Sequence, residues 1–134
     1  MSGYSGTPLA KKLSLRDGAR VWRDGMPDSV EREIAEGGVQ LHILASPETP
    51  IDAAHIFVSA RVDLEAKLEQ LLPLLSRAGM IWVSWPKKAA KVPTDITEDV
   101  IREVALPMHL VDVKVCSVDD IWSGLKLVIR KEHR

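Results

Sequence analysis

The sequence holds one cysteine, Cys116, so no intrachain disulfide and no cysteine-rich metal site can form. Aromatic residues make up only 4% of the chain, and most of them are tryptophans: Trp22, Trp82, Trp85 and Trp122. No apolar run approaches the roughly 20 residues of a membrane-spanning helix. The first residues lack the charged and apolar segments of a secretion signal, and a cytoplasmic protein is expected. There is no G-x-x-x-x-G-K-[ST] stretch, which argues against a P-loop nucleotide site. Neither charge dominates: 18 basic against 19 acidic residues leave a formal net charge of −1, too little to draw the whole molecule to nucleic acid or membrane. His42, His55, His109 and His133 are scattered, with no pair at helical or strand spacing, so no metal site is expected. His55 lies in an apolar run and reads as a satisfied core histidine.

What is present is an ordinary globular composition, 46% hydrophobic and 28% charged over 134 residues. That length suits a single domain spanning 1–134, with the small polar residues 1–7 as a mobile arm. The chain is organised around Gly79-Met80-Ile81-Trp82-Val83-Ser84-Trp85-Pro86. An uninterrupted apolar run after a glycine suits a strand buried on both faces, and Pro86 stops it for want of an N–H. In open α/β sheets ligands sit outside the carboxyl ends of the strands, which makes the following loop the best address for a site.

Around this strand the pattern alternates. Pro8 opens a short helix over 9–13 with Lys11 and Lys12 outward, and a first strand covers 19–23. Asp28 and Glu31 have capping-box spacing at the start of a helix whose Val30 and Ile34 face inward and which Gly37-Gly38 ends. Strands are expected over 39–44 and 55–60. Asp63 caps a helix running to about residue 77, with Leu64, Leu68, Leu71, Leu72 and Leu75 as its apolar stripe and Pro73 bending or breaking it. Asp95 and Glu98 repeat the capping-box spacing before Ile96, Val100, Ile101 and Val104. Over 110–117, Val111, Val113 and Val115 alternate with Asp112, Lys114 and Cys116, which reads as a half-exposed edge strand. A short turn at 118–120 then makes the last strand, 122–130, antiparallel to it.

The leucine-rich helix, glycine turn, apolar strand and proline of 71–86, followed by a closing pair of strands over 110–129, resemble class I methyltransferases. Gly3-Tyr4-Ser5-Gly6-Thr7-Pro8-Leu9, Trp85-Pro86-Lys87-Lys88, Thr94-Asp95-Ile96-Thr97-Glu98-Asp99 and Trp122-Ser123-Gly124-Leu125 resemble the bacterial family catalogued as domain of unknown function 3052. Together these resemblances imply a small bacterial protein with a Rossmann-like α/β fold. About six strands would form a mainly parallel sheet with helices on both faces and a C-terminal antiparallel hairpin, in the spatial order second, first, third, fourth, sixth, fifth. They supply no catalytic residues to carry over.

A methyltransferase needs a glycine-rich turn after its first strand, where a side chain would block the cofactor. Here the turn is Trp22-Arg23-Asp24-Gly25-Met26-Pro27, with one glycine and two obstructing neighbours. No cofactor is therefore expected, neither adenosylmethionine nor a nicotinamide dinucleotide, and no catalytic residue. The expected function is a non-catalytic binding or regulatory module with a protein partner, and Trp122 on the terminal hairpin is a candidate interface residue. The alternative is a small anionic or nucleotide-like ligand at the loop from 85 to 99. There Lys87, Lys88 and Lys91 precede a helix start, Thr94 and Thr97 offer hydroxyls, and Trp85 offers a flat surface for a ring. Cys116, with Lys114 two residues away, reads as a plain edge-strand cysteine rather than a nucleophile.

Overall fold

In the computed structural model, which describes residues 6–134, a six-stranded sheet runs in the order β2-β1-β3-β4-β6-β5. Its strands are β1 (Arg20–Asp24), β2 (His42–Ile43), β3 (Ile51–Phe57), β4 (Leu75–Pro86), β5 (Leu110–Ser117) and β6 (Trp122–Ile129). β1 to β4 are mutually parallel, and β6 runs antiparallel to both β4 and β5. This is the expected methyltransferase-like Rossmann architecture with its closing hairpin. The expectation of a mobile arm over 1–7 falls mostly on residues 1–5, which lie outside the described residues.

Helices cover both faces because the strands alternate. On one face Ala54, Ile56, Ile81, Val83, Trp85, Leu125 and Leu127 pack against α3 (Arg61–Leu71) and α4 (Glu98–Ala105). On the other, Val21, Ala53, Phe57, Met80 and Trp82 pack against α1 (Leu9–Lys12) and α2 (Asp28–Glu36). Every residue of β4 from Gly79 to Pro86 is buried, as its unbroken apolar run requires. Gly79 sits where a Cβ would lie 2.9 Å from the Ile51 carbonyl and 2.8 Å from a Leu75 methyl, so β3 and β4 approach too closely there for any side chain. The Trp82 indole, wholly interior, donates to the Leu13 carbonyl at 2.9 Å and so pins the end of α1 to the sheet.

Several boundaries differ from expectation, each for a local reason. β2 is two residues long rather than six, because Gly18 N–H and the Asp17 carboxylate engage Gln40 and hold the preceding chain off the ladder. β3 begins directly after Pro50 and ends at Phe57, four and three residues earlier than the expected bounds of 55 and 60. α3 ends at Leu71; a 3-10 turn, Leu72–Leu74, contains Pro73, and β4 already begins at Leu75. The proline divides the segment, and Leu75 belongs to the strand rather than the helix.

Neither capping box forms. Pro27 occupies the N-cap of α2 and makes no side-chain cap, while Glu31 pairs with Arg23. At α4 the cap is Thr97, so Ile96 precedes the helix, and Asp95 instead accepts the Arg61 N–H. In β5 a register shift between Asp112 and Lys114 breaks the alternation. Val111 faces Val128 on the α1/α2 side and Val115 faces Leu125 on the opposite side, and both Val113 and Val115 remain 54% exposed on this edge strand. Lys12, expected outward, is half-buried and donates to the Ser117 carbonyl.

Candidate functional site

The loop after β4 is built by the strand that delivers it. Trp85, the last large side chain of β4, points into the α3/α4 core and is 8% exposed, so its ring is packed rather than presented to a ligand. Lys87 leaves the strand with its N–H on the Ile121 carbonyl and its ammonium on Ser117 Oγ at 2.6 Å, which turns it toward the β5–β6 hairpin. Lys88 and Lys91 face solvent across a short 3-10 turn, where Lys91 takes a left-handed φ of 56°. Thr94 donates its hydroxyl to the Ser59 carbonyl at 2.6 Å and accepts from Ile96 N–H. Thr97 accepts from Val100 N–H at 3.2 Å. Among the described residues, no hydrogen bond or ion pair joins the lysines to the threonines. Both hydroxyls have local turn duties, and Glu98 and Asp99 already place two carboxylates in the first turn of α4.

The carboxyl ends of β1 and β3 are also engaged by the chain itself. Asp24 pairs with Lys67 of α3 at 3.1 Å, and Arg23 pairs with Glu31 of α2 at 3.1 Å. Gly25 adopts a positive φ of 75°, and a Cβ there would lie 3.3 Å from the Phe57 carbonyl. Its freedom serves a turn packed on β3. Beyond β3, Ser59 carries both the Thr94 hydroxyl and the Asp95 N–H on its carbonyl, which ties the loop after β4 over this strand end.

Two buried polar groups sit between these elements. His55 and Ser84 lie side by side on β3 and β4, with His55 Nε2 2.7 Å from Ser84 Oγ. The imidazole stacks on Phe57 at 4.4 Å, and burial lowers its pKa from 6.5 to about 3. It is the satisfied core histidine that its apolar surroundings imply. Phe57 in turn meets Trp122 edge-on at 5.1 Å, so the candidate interface tryptophan is half-buried and shares in packing.

Sequence reasoning missed a convergence of cations on the hairpin. Lys12 and Lys87 both donate to Ser117, and Lys114 donates to the Lys12 carbonyl. Lys126 stands opposite Lys114 in the β5–β6 register. Cys116 lies among them; burial raises its thiol pKa, and Lys12, Lys114 and Lys87 only partly counter this. It remains a thiol, as expected of a plain edge-strand cysteine. Among the described residues no cluster of three or more metal-binding side chains is present, and no helix is long and apolar enough to cross a membrane.

No family model and no curated protein matches the chain, so the resemblance to domain of unknown function 3052 is not confirmed. Solved structures do. A SAM dependent methyltransferase from Aquifex aeolicus superposes with a TM-score of 0.62 at 12% identity, covering 90% of this chain and 88% of that one. Magnesium protoporphyrin IX methyltransferase from Synechocystis, solved with bound SAM, gives 0.59 at 10% identity over 90% of this chain and 76% of its own. Ribosomal protein L11 methylase from Lactobacillus delbrueckii gives 0.56 at 12% identity, over 91% and 77%. At such identities the likeness establishes the fold.

Proposed function

We propose that the protein is a non-catalytic binding or regulatory module on a methyltransferase-like fold, with a protein partner engaging the β5–β6 hairpin. The end of β1 carries the proposal. Where that fold uses an open glycine turn, this chain has Asp24 paired to Lys67, Gly25 packed on the Phe57 carbonyl, and Met26-Pro27 leading into α2. The adjoining end of β3 is held by Thr94 and Asp95. The hairpin supports a partner: β5 is an edge strand with an open ladder, Val113 and Val115 project into solvent from it, and Ile121 is exposed at the turn before Trp122. An extended partner segment can add to such an edge and cover these side chains.

The test is titration of adenosylmethionine and adenosylhomocysteine into the full chain, together with methyl transfer from labelled adenosylmethionine to proteins and RNA of a cell extract. Neither binding nor transfer is expected. Micromolar binding with transfer refutes the proposal. Affinity capture from cytosol supplies the positive arm, with Val115→Asp expected to lose the captured partner.

An active methyltransferase is equally compatible with the fold itself, since the likeness to the Aquifex aeolicus enzyme extends over 90% of the chain. The same titration distinguishes the two. A small anionic ligand at the loop from 85 to 99 draws support from exposed Lys88 and Lys91. The occupied hydroxyls of Thr94 and Thr97 and the buried Trp85 weigh against it. A thermal-shift screen of nucleotides and sugar phosphates, with Lys88→Gln as control, tests it.

A further inference from the structure

At the opposite end of the sheet from the loop after β4, an open groove of about 590 Å³ is lined by Arg16, Asp17, Asp52, Met80, Lys126 and Val128 among others. Pockets of about 300–1,000 Å³ accommodate small ligands, so its size suits one. Its floor is apolar, from Met80 and Val128, and its rim carries charges of both signs.

The cations of the rim are Arg16 and Lys126. Arg23, Arg61, Lys67, Arg102 and Arg130 each lie within 4 Å of a carboxylate. Among the described residues no carboxylate pairs with Arg16 or Lys126, nor with Lys114, which lies outside the lining of the groove. Lys114 and Lys126 are moreover direct cross-strand neighbours, an arrangement of like charges that destabilises a sheet. Among the described residues Lys126 reaches only the Ser14 hydroxyl, at 3.3 Å, and Lys114 only the Lys12 carbonyl, at 2.8 Å. Partial burial and the charges of Lys114 and Arg16 hold the Lys126 ammonium below the usual lysine pKa. Folding gains nothing from these like charges, whereas an anion in the groove would offset those of Lys126 and Arg16.

The acidic rim is different. Among the described residues Asp17 accepts only the Gln40 N–H, and Asp52 accepts the Arg20 N–H and the Ser76 hydroxyl, leaving lone pairs on both carboxylates for further donors. Two carboxylates in so small a groove disfavour a polyanionic strand and favour a compact ligand that carries an anion at one end and donors at the other.

We propose that this groove binds a small phosphomonoester bearing hydroxyl or amino donors, a sugar phosphate or a nucleotide, with its phosphate at Arg16 and Lys126 and its donors toward Asp17 and Asp52. The site lies away from the end of β1, and binding here is independent of whether that end transfers methyl groups. It adds a ligand to the module proposed above without resting on that proposal.

The test is calorimetric titration of the full chain at low salt with AMP, ribose 5-phosphate, adenosine, inorganic tripolyphosphate and a single-stranded RNA. AMP or ribose 5-phosphate should bind, the two together separating a base requirement from a sugar-phosphate requirement, and adenosine should not. Arg16→Gln and Lys126→Gln should each weaken binding by about tenfold or more, the loss of one charge-assisted contact. Lys88→Gln in the distant loop should leave it unchanged. Removing one member of the like-charge pair, Lys126→Gln should melt no lower than wild type; should it fail to fold, Arg16→Gln on the exposed loop decides alone. The proposal is overturned if neither phosphomonoester binds at millimolar concentration, or if both bind the two variants as they bind wild type. It is equally overturned if tripolyphosphate or RNA binds as tightly as AMP, which would make the rim a counter-ion surface only.

Discussion

Acid should unfold this protein earlier than its surface chemistry requires, because of one side chain. His55 is buried between β3 and β4, hydrogen-bonded to Ser84 and stacked on Phe57. Its cross-strand neighbour on β1 is Arg23, a second cation that an imidazolium would face. Burial drives the imidazole pKa from 6.5 down to about 3. Between these values the unfolded chain binds a proton that the folded chain refuses, so stability rises with pH. The contribution is fully present above about pH 6.5 and is lost progressively as pH falls toward 3. At pH 5 the loss amounts to about 2 kcal/mol, and its ceiling below pH 3 is roughly 5 kcal/mol, taking about 1.4 kcal/mol per pKa unit. A loss of 2 kcal/mol lowers Tm by roughly 8 °C in a domain of this size.

Urea denaturation at pH 7, 6 and 5 measures the effect, and the His55→Gln variant isolates it. Glutamine keeps a polar partner for Ser84 and cannot titrate. The variant should be less stable than wild type at pH 7 but nearly flat from pH 7 to 5, where wild type loses about 2 kcal/mol. An NMR titration should show the wild-type His55 ring still neutral at pH 5. Parallel stability curves for the two proteins, or a His55 ring that titrates near 6.5, would refute the reasoning and place the imidazole in contact with solvent.

Other outcomes follow from single contacts. Gly79→Ala should destabilise by about 1–3 kcal/mol with an unchanged urea m-value, because the new methyl meets the Ile51 carbonyl and the Leu75 side chain. Thr97→Ala should cost about 1 kcal/mol by removing the N-cap of α4, and Thr97→Ser should restore most of it. Trp85→Ala should cost about 3–5 kcal/mol as a core truncation, whereas a ring-stacking ligand residue could be removed with little loss of stability.

The architecture was legible because it depends on long-period features: apolar runs of strand length, helical stripes between them, and a short turn before the last strand. Local punctuation was less reliable. The D-x-x-E spacing at Asp28 and at Asp95 identifies a helix start without saying which residue stands outside it. The fixed φ of Pro27, −63°, made it the N-cap and put Asp28 inside α2. Asp95 was drawn to the Arg61 N–H, and the cap passed to Thr97. The valines of β5 deceived in another way. Alternation assigns faces only while the ladder is regular, and the shift between Asp112 and Lys114 places Val111 and Val115 on opposite faces.

The candidate sites show the same division between what is local in sequence and what is not. Lys87, Lys88 and Lys91 are close along the chain, and closeness suggested a common target. Strand geometry separates them, since Lys87 follows β4 toward Ser117 while Lys88 and Lys91 turn into solvent. Lys114 and Lys126, by contrast, are placed symmetrically about the turn at Asp120, and an antiparallel hairpin brings such positions face to face. That pairing was within reach of the sequence once the hairpin was recognised. Arg16 was not, because its place beside Lys126 follows from α1 docking on the sheet, fixed by the Trp82–Leu13 hydrogen bond and by burial of Leu9, Ala10 and Leu13. A groove assembled from the start of the chain and from its last strand has no signature in either segment alone; its like charges become conspicuous only when folding sets them side by side.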